Sequence, residues 1–317
     1  MKIPVLNGDD IDPVELCHTL SEWGCFRLRH PVLPAERLAE ALDDARAFFD
    51  LSQAIKSEIA IEHSRHFRGY SEMKNERDWR EQLHLGAERE AIGDEPPFLQ
   101  LEGPNVWPPD TAWRYRILRY LSDVVDIGKE VLENICAGLG IERNSFADKP
   151  GLAPYLVMKL ICYHPQPESD SLRPGVAAHV DFSWITLTLE DNNGGLEIRV
   201  PDGRWITVEP EAGTLLVHVG EILAFATRGR FCSTPHLVVN RLSNRSRLSL
   251  PIFLNPSLQT IVTPIAGLSD ARICRTIDAS HVHRVLSPDE SGGAFLFGAA
   301  EWRRKGLNVW CTECVSE

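Results

Sequence analysis

In the stretch AAHVDFSWITLTLEDNNGGLEIRV, Ala177 to Val200, two residues could do chemistry together: His179 and Asp181, one position apart at the head of an alternating run. Neutral imidazole and carboxylate are the donors of a 2-His-1-carboxylate facial triad, which holds Fe(II) on one face and leaves the other positions open for a cosubstrate and oxygen. An all-histidine or cysteine-rich set would point to zinc or copper instead. Two donors do not make a metal site, and the pair alone reads equally well as a polar cap on a strand end. A third ligand would have to come from His164, His218, His236, His281 or His283.

His236 opens the apolar run of RFCSTPHLVVNRL, 57 residues after His179. Arg247 and Ser249 follow in RLSLPIF, and strand alternation puts both on one face. A guanidinium beside a hydroxyl suits the far carboxylate of a short dicarboxylic acid, through a two-pronged charge-assisted contact. An arginine turned into a β core needs an anion, and 2-oxoglutarate would serve; a salt bridge on an exposed sheet face is the plainer use of the pair. His218, in LLVHVGE, is a weaker rival for the third ligand and otherwise a pocket or core residue. Trp184 and Phe253 read as core or pocket-lining aromatics, and NNGG as a hairpin turn.

These residues need a frame. DIDPVELCHTLSEWG reads as a helix stopped near Gly24, followed by a short strand in CFRLRHP and a second helix in PAERLAEALDDARAFFDLS. The passage EHSRHFRGYSEMKNERDWREQLHLG is polar and reads as irregular, its charge run as a solvated face. A Pro-rich stretch and a long helix ending at Gly138 or Gly140 come next. From about Pro154 the pattern changes to short apolar or alternating runs: YLVMKLICYHP, WITLTLED, LEIRV, WITVEP, TLLVHVGEILAFAT, PHLVVNRL and RLSLPIFLNP. Closely spaced strands of this kind imply a β-sandwich or jelly roll. SDARICRTIDAS, near the C-terminus, reads as a further helix.

The 317 residues suffice for one large domain or two modest ones, and a composition of 43% hydrophobic and 25% charged residues is that of a globular chain. A net charge of −12 repels nucleic-acid phosphate and anionic lipid, so neither is an expected partner. An acidic small molecule would need a local cluster of Arg or Lys inside a pocket. The N-terminal segment lacks the apolar core of a signal peptide and no apolar run reaches membrane-spanning length, so a cytoplasmic location is expected. Of eight scattered cysteines, Cys311 and Cys314 form a CxxC without a second pair; reduced thiols are expected rather than a zinc knuckle or disulfide framework.

Taken together, FRGY, GPNVWP, CYHPQPES, AHVDFSWITLTLEDNNGGLEI, WITVEPEAGTLLV, GRFCSTPH and RLSLPIFLNP resemble the isopenicillin N synthase-like 2-oxoglutarate- and Fe(II)-dependent oxygenases over most of the chain. The resemblance implies a mainly β fold with flanking helices: a distorted double-stranded β-helix, or jelly roll, behind a helical N-terminal region. On that reading residues 1–150 are the helical region, 151–260 the jelly-roll core, and 261–317 a C-terminal helix and closing segment, all one integrated unit. It further implies His179, Asp181 and His236 as iron ligands, and Arg247 and Ser249 as a 2-oxoglutarate clamp helped by Tyr163. The segment after RGY lies near the substrate entrance in this family, which makes Arg68, Tyr70 and Glu81 candidate substrate contacts beside His218 and Phe253. The chain departs from the family where His236-Leu237-Val238 replaces His-Arg-Val, where His218-Val219-Gly220-Glu221 replaces Asn-x-Gly-Asp, and where His164 separates Tyr163 from Pro165.

The activity so implied uses Fe(II), 2-oxoglutarate and O2 to oxidise an unactivated C–H bond of a small molecule in specialised metabolism, by hydroxylation or by desaturation or oxidative ring closure. Two alternatives stand beside it. One is an Fe(II) oxidase that uses no 2-oxoglutarate, as isopenicillin N synthase does, with Arg-x-Ser binding a substrate carboxylate. The other is a non-catalytic jelly roll that binds a small molecule.

Overall fold

A computed structural model describes residues 2–166, 174–200, 202–241, 244–268 and 293–308. The helix read in SDARICRTIDAS, His281, His283 and the Cys311–Cys314 pair lie outside them. The strands in the first half of the chain are β1 (Val5–Asn7), β2 (Cys25–Arg29), β3 (Gly69–Lys74) and β4 (Trp79–Leu85). Beyond them come β5 (Leu156–Tyr163), β6 (Val176–His179), β7 (Ile185–Glu190), β8 (Leu196–Arg199) and β9 (Trp205–Val208). The last are β10 (Leu215–Val219), β11 (His236–Val238), β12 (Arg247–Leu254), β13 (Ile261–Val262) and β14 (Phe295–Leu296). Eight strands form one sheet in the order β1-β2-β10-β7-β12-β5-β4-β3, and four form a smaller sheet, β6-β11-β8-β9.

Alternation sorts the large sheet into two unlike faces. Three helices share a core with it: α1 (Pro13–Trp23), α2 (Ala35–Phe49) and, beyond the short α3 (Gln53–Glu58), the long α4 (Thr111–Leu139). The sheet contributes Leu187 and Leu189 of β7, Leu248, Leu250, Ile252 and Leu254 of β12, and Leu83 and Leu85 of β4. The residues between them in sequence face the small sheet, where Ile161, Tyr163, Leu196, Ile198, Leu216 and Val238 form a second, smaller cluster. This arrangement of two facing sheets with helices on the outer side is the distorted jelly roll. It leaves an inner face on which polar residues can be aimed at a common cavity.

The helices have legible ends. Asp12 accepts from Val14 N at 2.8 Å, Pro13 opens α1, and Gly24 closes it with φ of 71°. Asp110 caps α4 through Ala112 N and Trp113 N, and Gly140 ends it in the left-handed region. Gly128 lets α4 settle on the sheet, since a Cβ there would lie 3.1 Å from Leu187 and 3.0 Å from Leu254.

Four expectations need correction. The polar passage after RGY is not irregular: it is the hairpin β3–β4, with Glu72 and Lys74 on an edge strand and alternation hidden by its charges. TLLVHVGEILAFAT is only half a strand, because Gly220 ends β10 and the chain turns into α5 (Glu221–Ala226). NNGG does not close a hairpin; it carries the chain from β7 in the large sheet to β8 in the small one. Gly195 is required there, with φ of 87° and the Val239 carbonyl oxygen in the space a Cβ would fill. Cys17, Cys25, Cys136 and Cys162 are free buried thiols, but Cys232 is disulfide-bonded.

Leu187 is fully buried between β7 and α4. Leu187→Ala is expected to lower unfolding free energy by about 2–5 kcal/mol in urea titrations; an unchanged midpoint would show that the helix-side core does not hold the sheet.

Candidate metal and cosubstrate site

Sheet register brings the distant histidine to the first one. In the small sheet β11 pairs antiparallel with β6, setting His236 directly opposite His179, with ring centroids 4.2 Å apart. Asp181 lies just past β6, and its backbone carbonyl accepts from Glu221 N at 2.8 Å. The ligand atoms of His179, Asp181 and His236 all lie within 4.8 Å of one another. Asp181 Oδ1 is 3.7 Å from His179 Nε2 and 3.8 Å from His236 Nε2.

Hydrogen bonding behind each donor sets its role. His179 Nδ1 lies 2.8 Å from Ala177 O, and His236 Nδ1 lies 2.9 Å from Thr234 O. A carbonyl only accepts, so both rings carry their proton on Nδ1 and present the Nε2 lone pair to the shared space. Thr186 Oγ1 donates to Asp181 Oδ2 at 2.7 Å, leaving Oδ1 to face the imidazoles. Two donors on one ion at ~2.1 Å stand ~3 Å apart when cis, so the separations found close with small side-chain rotations. Two neutral nitrogens and one carboxylate on one face are a fit for a ferrous ion.

His218, on β10 of the large sheet, reaches the same point from the opposite side. Its Nε2 is 3.5 Å from Asp181 Oδ2, its ring 4.7 Å from that of His236, and its buried Nδ1 has no hydrogen-bond partner. It stands behind the carboxylate and is not one of the three clustered donors. Burial, with His236 alongside, pushes His179 down to about 3, and burial pushes His218 down to about 4. Burial alone would raise Asp181; His236, His218, His179 and the Thr186 hydroxyl outweigh it and hold the carboxyl well below the usual range. At neutral pH a buried carboxylate stands beside the uncharged rings of His179 and His218.

Arg247 and Ser249 face the same cavity from β12, as alternation requires, and Tyr163 joins them from β5, its ring 5.1 Å from the Arg247 guanidinium. The arginine already has an anion, which the sequence reading did not foresee. Arg247 Nη2 donates to Glu190 Oε2 at 2.8 Å, and Arg27 Nη2 donates to Glu190 Oε1 at 2.7 Å. Arg247 Nε donates to Gly194 O. One buried carboxylate thus holds two guanidinium groups, and among the described residues Arg247, which lines the cavity, keeps its buried Nη1 without a partner. That orphan donor fits a ligand carboxylate.

Of the substrate-contact candidates, His218 and Phe253 line the cavity. Arg68, Tyr70 and Glu81 do not. Glu81 points to the helix side of β4, where its Oε2 takes Lys56 Nζ at 2.7 Å and the Tyr70 hydroxyl at 2.8 Å. Arg68 is buried against Tyr155 and donates to Leu101 O. A one-residue step in alternation separates Glu81 from the cavity-lining Arg80. His164 gathers with Glu81 and Cys162 instead, in a place where the Lys56 ammonium already supplies the cation. The sequence reading also passed over Arg27, Glu190, Thr186, Arg80 and Lys159. Their signal was present: ITLTLE and LVMKLICY carry polar residues inside otherwise apolar strands.

Comparison with known proteins adds to this geometry. A profile of the 2OG-Fe(II) oxygenase superfamily matches residues 154–256, and one described as non-haem dioxygenase in morphine synthesis N-terminal matches residues 14–110. A 2-oxoglutarate-Fe(II) type oxidoreductase (hxnY) of Emericella nidulans is 30% identical over 250 residues, spanning 73% of this chain and 70% of that one. A homoarginine-6-hydroxylase of Glycine max is 28% identical over 268 residues, spanning 79% of each. A full-length Neurospora crassa protein crystallised with alpha-KG and thymine superposes with a TM-score of 0.74, at 21% identity, over 96% of this chain and 97% of that one. At that identity the likeness is one of fold.

Glu190→Gln removes the carboxylate that Arg27 and Arg247 share. It is expected to cost about 3–5 kcal/mol in chemical denaturation, because two buried guanidinium groups lose their counter-charge; a loss below ~1 kcal/mol would mean that the pair is solvated in a way the burial does not suggest.

Proposed function

The chain belongs to the 2-oxoglutarate- and Fe(II)-dependent oxygenase family, and on that premise we propose that His179, Asp181 and His236 hold the iron while Arg247, Ser249 and Tyr163 anchor 2-oxoglutarate. The protein is an oxidoreductase that works with both. With O2 as the oxidant, bound iron and 2-oxoglutarate would supply the oxidation of an unactivated C–H bond, 2-oxoglutarate being oxidised in the same turnover to succinate and carbon dioxide.

The chain's own residues do the positioning. Ala177 O and Thr234 O fix the imidazole tautomers, and Thr186 keeps one Asp181 oxygen turned away from the other donors. Glu190 holds the Arg247 guanidinium through Nη2, leaving Nη1 for a ligand carboxylate. Ile161, Val176, Leu196, Ile198, Leu216 and Val238 give the cavity an apolar lining that keeps water from the donors. The observation that carries the reading is the convergence of two Nε2 lone pairs and one carboxylate oxygen, each held from behind by its own hydrogen bond. A small-molecule substrate of specialised metabolism, oxidised by hydroxylation or by desaturation or ring closure, is supported by an acidic surface that disfavours nucleic acid and by relatives such as the homoarginine hydroxylase.

Anaerobic addition of Fe(II) and 2-oxoglutarate is expected to produce a weak visible charge-transfer band, absent in His179→Ala and Asp181→Ala, and aerobic turnover is expected to release succinate. Oxygen use with no 2-oxoglutarate consumed would contradict the cosubstrate assignment and favour the oxidase reading.

A further inference from the structure

The inner face of the large sheet carries more positive charge than the cosubstrate accounts for. Arg80 on β4 and Lys159 on β5 line the same cavity as the metal donors. Lys159 stands in the middle of the apolar strand LVMKLICY. Among the described residues its ammonium meets no hydrogen-bond acceptor, and its contact is the Phe253 ring at 5.2 Å. Arg80 gives Nη2 to Asp78 at 2.9 Å and leaves its buried Nε without a partner.

Among the described residues the surroundings offer Lys159 no close anion: Arg80, Lys305 and Arg304 act on it against a smaller opposing pull from Asp181. Glu301 is engaged with Arg304 and Lys305 of the helix α6 (Phe297–Asn308). Asp78 is engaged with Arg80, and Asp181 belongs to the metal cluster. His84, buried on the same face, is kept neutral by burial and by the cations around it. Burial and the neighbouring Arg80 push Lys159 down to about 7, as befits an ammonium short of counter-charge. In a chain of net charge −12 this local excess of cations is particular to the cavity. Lys159 faces inward four residues before Tyr163, ~13 Å along β5, and two residues before Ile161, the cross-strand partner of Ser249.

Resting on the iron and 2-oxoglutarate assignment above, we propose that the substrate is an organic monocarboxylate, its carboxylate held by Lys159 Nζ. The Phe253 ring, which touches Lys159 and pairs across the sheet with Thr186 behind Asp181, offers apolar surface for the rest of the molecule.

The test uses the full chain, loaded with Fe(II) and with 2-oxoglutarate at saturation so that Arg247 is occupied. A panel of small aliphatic and aromatic monocarboxylic acids is compared with their methyl esters. Succinate release is measured aerobically and binding by calorimetry without oxygen. An acid that stimulates turnover is expected to bind ~10-fold or more tightly than its ester, the usual worth of a charge-assisted hydrogen bond. Lys159→Met is expected to bring that ratio toward one, chiefly through KM, and Lys159→Arg to preserve it. Esters that match their acids, or an acid preference undiminished in Lys159→Met, would overturn the proposal. Should Lys159→Met fail to fold, the acid-to-ester ratio of the unaltered chain decides. Failure of the underlying iron reading shows separately, as absence of the charge-transfer band before any acid is added.

Discussion

A carboxylate 5% exposed, set beside the imidazoles of His179 and His218 that burial keeps neutral, needs an answering positive charge, and the architecture around Asp181 is arranged about that need. The small sheet supplies two lone pairs through the His179–His236 cross-strand pair, and the large sheet supplies Thr186 and His218 behind the carboxylate. With no cation the cluster leaves a buried negative charge supported by one hydroxyl and the histidines' partial polarity. A divalent ion turns the same cluster into a satisfied one. The donors are fixed by backbone carbonyls and a threonine, so the site is preorganised before any ion arrives.

The second constraint is the treatment of cations on the inner face. Arg27 and Arg247 share Glu190, which settles the cost of burying them and leaves one donor, Arg247 Nη1, for a ligand carboxylate. Among the described residues Lys159 has no such partner. The difference separates a guanidinium held in place from an ammonium waiting for charge, and it gives the two cations distinct chemistry. The apolar helix-side core carries the stability of the fold, so that the inner face can hold groups that would destabilise an ordinary core.

The metal cluster was legible through the family resemblance that the combined motifs carry: His179, Asp181 and His236 meet as that resemblance implied. Arg247 and Ser249 share a face because alternation is strict along β12. The helix stop at Gly24 was equally plain, and that of α4 was narrowed to Gly138 or Gly140. What escaped the sequence depends on pairing across the sheet. The hairpin β3–β4 looked like a loop because its edge strand is charged, and with that hairpin misread the faces of Arg80 and Glu81 could not be told apart. Glu190 as the partner of Arg27 requires knowing that β2, β10, β7 and β12 lie side by side, a fact of topology that no local pattern in the chain carries.

The central claim is that Asp181 is held as an ion in readiness for a divalent cation. Thermal unfolding of the chain and of Asp181→Asn, each with and without Mn(II) as a redox-inert stand-in for Fe(II), tests it directly. The account predicts that Mn(II) stabilises the unaltered chain, by about 2.7 kcal/mol at a hundredfold excess over Kd. It also predicts that Asp181→Asn is at least as stable as the metal-free parent and no longer responds to the ion. A parent chain indifferent to Mn(II), or an asparagine variant that is less stable and still responds, would contradict it.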